Sequence, residues 1–282
     1  MSSASLTRTT LRSLTRTAAR TETRAGARAF SALATRPSAA RVPRAASAVQ
    51  VRGMKTIDFA GTPERVYERS DWPLEKLQDY FKNDTFALLG YGSQGHGQGL
   101  NLRDNGLNVI IGVRKDGASW KQAVDDGWVP GKNLFTVEEA AQKGTILMNL
   151  LSDAAQTSTW PELSKFVTKG KTLYFSHGFS IVYKDQTKVI PPPDVDVILC
   201  APKGSGRTVR TLFKEGRGIN SSVAVFQDVT GKALEKTVAI GIAVGSGYIY
   251  ETTFEKEVYS DLYGERGCLM AVSYTHLTLP TI

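Results

Sequence analysis

Along this chain apolar residues come in short runs that do not alternate with polar ones. "TFALLG" (85–90), "NVIIGV" (108–113), "TILMNLL" (145–151), "TLYFSHG" (172–178), "VDVILCAPKG" (195–204) and "SSVAVFQD" (221–228) each predict a strand buried on both faces. Between them lie helix-patterned stretches that stop at glycine: "SQGHGQGLNLRDNG", "SWKQAVDDG", "VEEAAQKG" and "TWPELSKFVTKG". Strands alternating with helices predict an α/β fold built on a mostly parallel sheet. Residues 54–83 read as an N-terminal arm, with Asp71 placed to cap a helix and Pro73 in its first turn. From Gly231 to Met270 the pattern is helical and Gly-rich, and the strands are expected to cease. That puts a domain boundary near Thr230, between a sheet domain (84–230) and the first helices of an all-α domain (231–270). The last stretch, "AVSYTHLTLPTI" (271–282), is Thr-rich and β-branched, poor helix material that is off this pattern.

Charge separates one further segment. Residues 1–53 hold ten Arg, no Lys and one acid, Glu22, a net +9; subtracting that from +8 for the whole chain leaves −1 for residues 54–282. A body so close to neutral has no electrostatic footprint for nucleic acid. Arg8, Arg12, Arg16, Arg20, Arg24 and Arg28 recur every four residues, one cationic stripe on a helix. Arg-rich, Ser-rich and acid-poor composition is that of a mitochondrial transit peptide, here ending between about Arg44 and Met54, which implies the matrix. A disordered basic tail and a DNA-binding arm are the other readings of the same residues. Cys200 and Cys268 are far apart and read as packing thiols in a reducing compartment. The apolar run "VAIGIAVGSGYIY" (238–250) is too short to cross a bilayer, so no membrane role is expected.

The chemistry begins at "GYGSQG". Gly90, Gly92 and Gly95 fit G-x-G-x-x-G, and the motif follows a strand and opens a helix, the context of a Rossmann-type dinucleotide site. Gly90 would make the turn, Gly92 would admit the pyrophosphate, and Gly95 would bring the helix close to the sheet. At the end of the second strand an NAD site commonly places Asp or Glu. This chain has Arg114 and Lys115, then Ser119, which favour a 2′-phosphate and therefore NADPH. Asp116 is the counter-indication, since it could take a ribose hydroxyl.

In such sheets ligands lie beyond the carboxyl ends of the strands. Three ends here are polar: Ser152 and Asp153 after the third strand, His177 after the fourth, Lys203 after the fifth. His177 and Lys203 read equally well as structural or catalytic groups. Further on, Asp261 and Glu265 are spaced i, i+4 on one helix face, with Glu257 a turn earlier. Like charges so placed are mildly destabilising unless a hard cation such as Mg²⁺ joins them, although the same spacing is common on solvated helices.

Together the stretches "LLGYGSQGHGQGLNLRDNG", "GVRKDGASW", "NLLSDAAQ", "YFSHGF", "APKGSGRTVR", "FKEGRGIN" and "SDLYGERGCLM" closely resemble the ketol-acid reductoisomerase (acetohydroxy-acid reductoisomerase) family in its mitochondrial form, from about Thr56 to Met270. The resemblance implies Mg²⁺- and NADPH-dependent conversion of 2-acetolactate or 2-aceto-2-hydroxybutyrate to 2,3-dihydroxy acids. That is a step of branched-chain amino-acid synthesis, carried out by a homo-oligomer. It implies that Asp261 bridges two metal ions and Glu265 binds one, that Lys203 orients metal-bound water or substrate oxygens, and that His177 sits near the nicotinamide. Tyr91, Gly92, Ser93, Gln94, Arg114, Ser119, Asp153 and Gly206 would line the cofactor. The family continues after "GERGCLM" with two glycines and a long helical domain carrying more acids; here Ala271 begins the off-pattern stretch. The expectation is therefore a chain that binds NADPH and does not turn over by itself. A metal-free NADPH reductase of the β-hydroxyacid or imine type, a non-catalytic nucleotide sensor and a nucleic-acid binder acting through the Arg-rich arm are the competing readings.

Overall fold

The computed structural model describes residues 55–264. The Arg-rich leader, Glu265, Cys268 and residues 271–282 lie outside the described residues. One ten-stranded sheet organises the rest. Its strands are β1 (Lys55–Phe59), β2 (Thr62–Glu68), β3 (Phe86–Leu89), β4 (Val109–Gly112), β5 (Leu134–Phe135), β6 (Ile146–Asn149), β7 (Thr172–Phe175), β8 (Asp196–Pro202), β9 (Ile219–Gln227) and β10 (Ser246–Glu251). They lie in the order β1-β2-β10-β9-β8-β7-β6-β3-β4-β5. The run from β8 to β5 is parallel, as the apolar runs predict. β9 returns antiparallel to β8, and β10 is parallel to β9.

The non-alternating pattern has a direct cause. Every residue of β3, β4, β6, β7 and β8 is buried. Phe86 and Leu88 face one apolar layer with Ile111, Met148 and Tyr174; Ala87 and Leu89 face the other with Leu147, Leu173 and Phe175. Each buried Leu or Ile so placed contributes about 1.5–3 kcal/mol relative to exposure. The covering helices include α2 (Ser93–Asp104), α3 (Ala118–Asp125), α4 (Val137–Lys143), α5 (Asp153–Leu163), α8 (Gly206–Lys214) and α9 (Ala233–Ala243). α1 (Leu74–Tyr80) precedes β3, the short helices α6 (Phe179–Val182) and α7 (Lys184–Thr187) lie between β7 and β8, and α10 (Phe254–Leu262) follows β10.

Two expectations are corrected. Strands do not cease after Thr230. α9 is a buried helix whose last carbonyls accept from Asn101 Nδ2 (Val244 O, 2.8 Å) and Asn105 Nδ2 (Ala243 O, 2.8 Å). Gly245, at φ +109°, then turns the chain into β10, which pairs with β9 and with β2. A cut at Thr230 would divide this sheet. Nor does Asp71 cap α1. Its Oδ2 accepts from Glu68 N at 2.9 Å, closing a 3₁₀ turn upstream, and Pro73 stands at the N-cap position of α1. The arm opens with a hairpin, β1–β2, turned by Ala60 and Gly61 at φ +53° and +87°, before α1.

Candidate active site

β3 and β6 are neighbours, but their connections leave in opposite directions, so the crevice above them is the switch point of the sheet. The glycine turn sits there. Gly90 adopts φ +104°, and its N–H donates to Gly112 O at 2.9 Å. A side chain at Gly95 would place Cβ 2.2 Å from Gly90 O, so only glycine lets α2 approach the turn. At Gly92 a Cβ would meet nothing within 4 Å. The backbone there faces open space, and no side chain caps the first turn of α2. Free N–H groups at a helix start, open to an approaching anion, fit a pyrophosphate. Beside them lies a cleft of about 470 Å³ whose lining includes Gly92, Ser93, His96 and Arg207.

The expected cofactor residues divide by what their side chains do. Ser93 and Gln94 join loops. Ser93 Oγ accepts from Gly206 N at 3.0 Å, and Gln94 Nε2 donates to Gly204 O at 2.9 Å. Gln98 continues the link, donating to Gln94 Oε1 and Ser176 Oγ and accepting from the Tyr174 hydroxyl. Tyr91 is buried. Its hydroxyl donates to Asp126 Oδ2 at 3.0 Å and accepts from Trp128 Nε1 at 2.8 Å, and burial pushes its pKa well above the phenol range. Arg114 and Lys115 are exposed after β4, free of ion pairs among the described residues, and Ser119 is half-buried on the first turn of α3. Asp116 takes the left-handed conformation, φ +60°, between them. Ser152 accepts from Ala155 N at the start of α5. Asp153 follows, its carboxyl pKa raised by burial and pulled back by His177.

At the other end of the edge, His177, Lys203 and Asp261 come together around a residue not expected to matter on its own. Glu257 is 1% exposed. Its Oε1 accepts from Lys203 Nζ at 3.1 Å and its Oε2 accepts from Gly178 N at 3.2 Å. His177 Nδ1 lies 3.1 Å from Asp261 Oδ2 and 3.4 Å from Glu257 Oε2. Neither contact is aligned as a hydrogen bond, so charge holds the ring there. Burial pulls the His177 pKa down, but the Asp261 and Glu257 carboxylates outweigh it and raise it to about 10. The Asp261 carboxyl is correspondingly held below its ordinary range by His177. Both shifts favour the charged form of the His177–Asp261 pair.

The ligand atoms of His177, Glu257 and Asp261 all lie within 4.8 Å of one another. Carboxylate oxygens suit a hard divalent cation. Glu257 is already committed to Lys203 and a backbone N–H, so Asp261 is the described carboxylate with acceptor capacity to spare. No helix among the described residues is long and apolar enough to cross a membrane.

A family model described as "Acetohydroxy acid isomeroreductase, NADPH-binding domain" matches residues 80–249. The chain belongs to the ketol-acid reductoisomerase family. It is 78% identical over 221 residues to the "Ketol-acid reductoisomerase, mitochondrial" of Neurospora crassa, covering 78% of this chain and 55% of that protein. It is 76% identical over 225 residues to the "Probable ketol-acid reductoisomerase, mitochondrial" of Schizosaccharomyces pombe, covering 80% and 56%. The chain thus spans about half the length of these curated relatives. Among solved structures, an NADH-preferring ketol-acid reductoisomerase from an uncultured archean matches at TM-score 0.67 and 34% identity, over 75% of this chain and 63% of that one. The described residues therefore carry the family's NAD(P)H-binding domain, an α/β domain of Rossmann type. The family match ends at residue 249, inside β10, which places α9 and most of β10 with the nucleotide-binding sheet. The names of both relatives bear out the mitochondrial location expected from the sequence.

Proposed function

We propose that this chain is the nucleotide-binding part of a ketol-acid reductoisomerase that uses NADPH and Mg²⁺ on 2-acetolactate or 2-aceto-2-hydroxybutyrate and works as a homo-oligomer. The observation that carries this reading is the convergence at one sheet edge. An uncapped helix start lies at the switch point, and a half-buried quartet of His177, Lys203, Glu257 and Asp261 lies beyond the ends of β7 and β8. When bound, Mg²⁺ would polarise the substrate oxygens during alkyl migration and NADPH would supply the hydride. Asp261 would hold the cation, with Glu265 one turn on in sequence. Lys203, fixed by Glu257, presents an ammonium to oxygens that gain negative charge. His177 exchanges its proton at the edge where the nicotinamide would lie. Arg114, Lys115 and Ser119 would grip the 2′-phosphate and set the preference for NADPH over NADH. The Arg-rich leader would direct import into the mitochondrial matrix.

The test is oxidation of NADPH with 2-acetolactate in the intact protein. It should require Mg²⁺ and stop on adding EDTA. Turnover that persists in EDTA would instead identify a metal-free reductase.

A further inference from the structure

α2 and α8 pack side by side with their first turns in contact, and those turns treat their N–H groups differently. α2 has no side-chain cap. In α8, Thr208 N donates to Ser205 Oγ at 3.3 Å and Gly206 N donates to Ser93 Oγ at 3.0 Å. One backbone donor of α8 thus serves its own cap, and another joins the two loops. Contact is so close that a Cβ on Gly206 would fall 1.7 Å from Ser93 O, and one on Gly97 2.2 Å from Gly206 O. The residue after Gly206 is therefore held at a fixed place beside the glycine turn.

That residue is Arg207. It is exposed and lines the same cleft as Gly92 and Ser93. It makes no hydrogen bond, ion pair or ring contact among the described residues. Arg210, one turn on, lines the cleft too but is committed: its Nη1 lies 2.7 Å from Asp104 Oδ2 and 2.9 Å from Asn101 Oδ1. An arginine on a helix surface is ordinarily just solvated. Here the free cation sits on a turn anchored by backbone contacts, next to a helix start that lacks a cap.

We propose that Arg207 clamps the dinucleotide pyrophosphate from the α8 side, opposite the N–H groups of α2. This rests on the reading that the chain binds a dinucleotide. The pyrophosphate rather than the 2′-phosphate is indicated because Arg207 shares its cleft with Gly92 and Ser93, whereas Arg114, Lys115 and Ser119 do not line it. Guanidinium and phosphate oxygens pair through two parallel hydrogen bonds, a geometry a lysine cannot reproduce.

The experiment is fluorescence titration of the full chain and its Arg207→Ala and Arg207→Lys variants with NADPH and with NADH. Arg207→Ala should weaken both cofactors equally, by roughly tenfold, the size of one charge-assisted hydrogen bond. Arg207→Lys should recover only part of that loss. Melting temperatures should not move, since the side chain makes no hydrogen bond or ion pair among the described residues. Affinities within twofold of wild type for both cofactors would overturn the proposal. So would a loss confined to NADPH, which would assign Arg207 to the 2′-phosphate. Wild-type protein that binds neither cofactor would overturn the underlying reading and this inference with it.

Discussion

At the glycine turn the chemistry is carried by backbone. Gly90, Gly92 and Gly95 shape the main chain, while Tyr91 braces it from inside and Ser93 and Gln94 tie it to the loop at Gly204 and Gly206. The turn is specified within residues 90–95, although its braces come from Asp126, Trp128, Gly204 and Gly206. At the carboxylate end the chemistry is carried by side chains brought from three places: His177 after β7, Lys203 after β8, and Glu257 with Asp261 on α10. The first end is rigid because atoms have nowhere else to go. The second is rigid because opposite charges share a partly buried space, and so it depends on every partner being present.

The two ends should fail differently. Glu257→Ala should have the largest effect on stability, because it leaves Lys203 and His177 beside a cavity without their shared anion. The loss should be about 2–4 kcal/mol, somewhat below a fully buried pair because both cations keep some water. NADPH affinity should change less than twofold, so a severe loss of binding would show the two ends to be coupled. Gly206→Ala should do the reverse. Separating Ser93 from α8 should cost about 1–3 kcal/mol in denaturant titrations while reducing NADPH affinity at least tenfold. Wild-type affinity in that variant would mean the loop junction does not shape the cradle.

A smaller effect is set by the core under both ends. Burial raises the Cys200 thiol from 9.0 to about 12. A thiol that stays protonated in the native state while ionising in the unfolded chain stabilises the fold fully below pH 9. That contribution fades as pH climbs from 9 toward 12. Between pH 9 and 10 wild type should therefore lose about 1 kcal/mol more than Cys200→Ala. Parallel pH slopes for the two proteins would contradict this.

Much of this was legible in the sequence. Leu88, Ile111, Met148 and Tyr174 lie on strands covered on both faces, and that is why the apolar runs did not alternate. The dinucleotide turn was legible because its three glycines are a local requirement. β10 was missed because only Val244 and Gly245 separate it from the apolar helix α9, although Tyr248 and Tyr250 outward with Ile249 inward is a period of two. The hairpin β1–β2 was missed because an exposed edge carries little hydrophobic pattern. Spacing put Glu257 on one face with Asp261, but its partners His177 and Lys203 are 80 and 54 residues away in sequence, and nothing local announces them.

The central claim is that the cradle and the acid cluster serve one bound molecule. Mn²⁺ in place of Mg²⁺, with NADP⁺ bound to the intact protein, tests it by paramagnetic broadening of cofactor protons. The account predicts strong broadening of the nicotinamide protons, weak broadening of the adenine protons, and loss of both effects in Asp261→Asn. Equal broadening at the two ends of the cofactor, or broadening that survives Asp261→Asn, would contradict it.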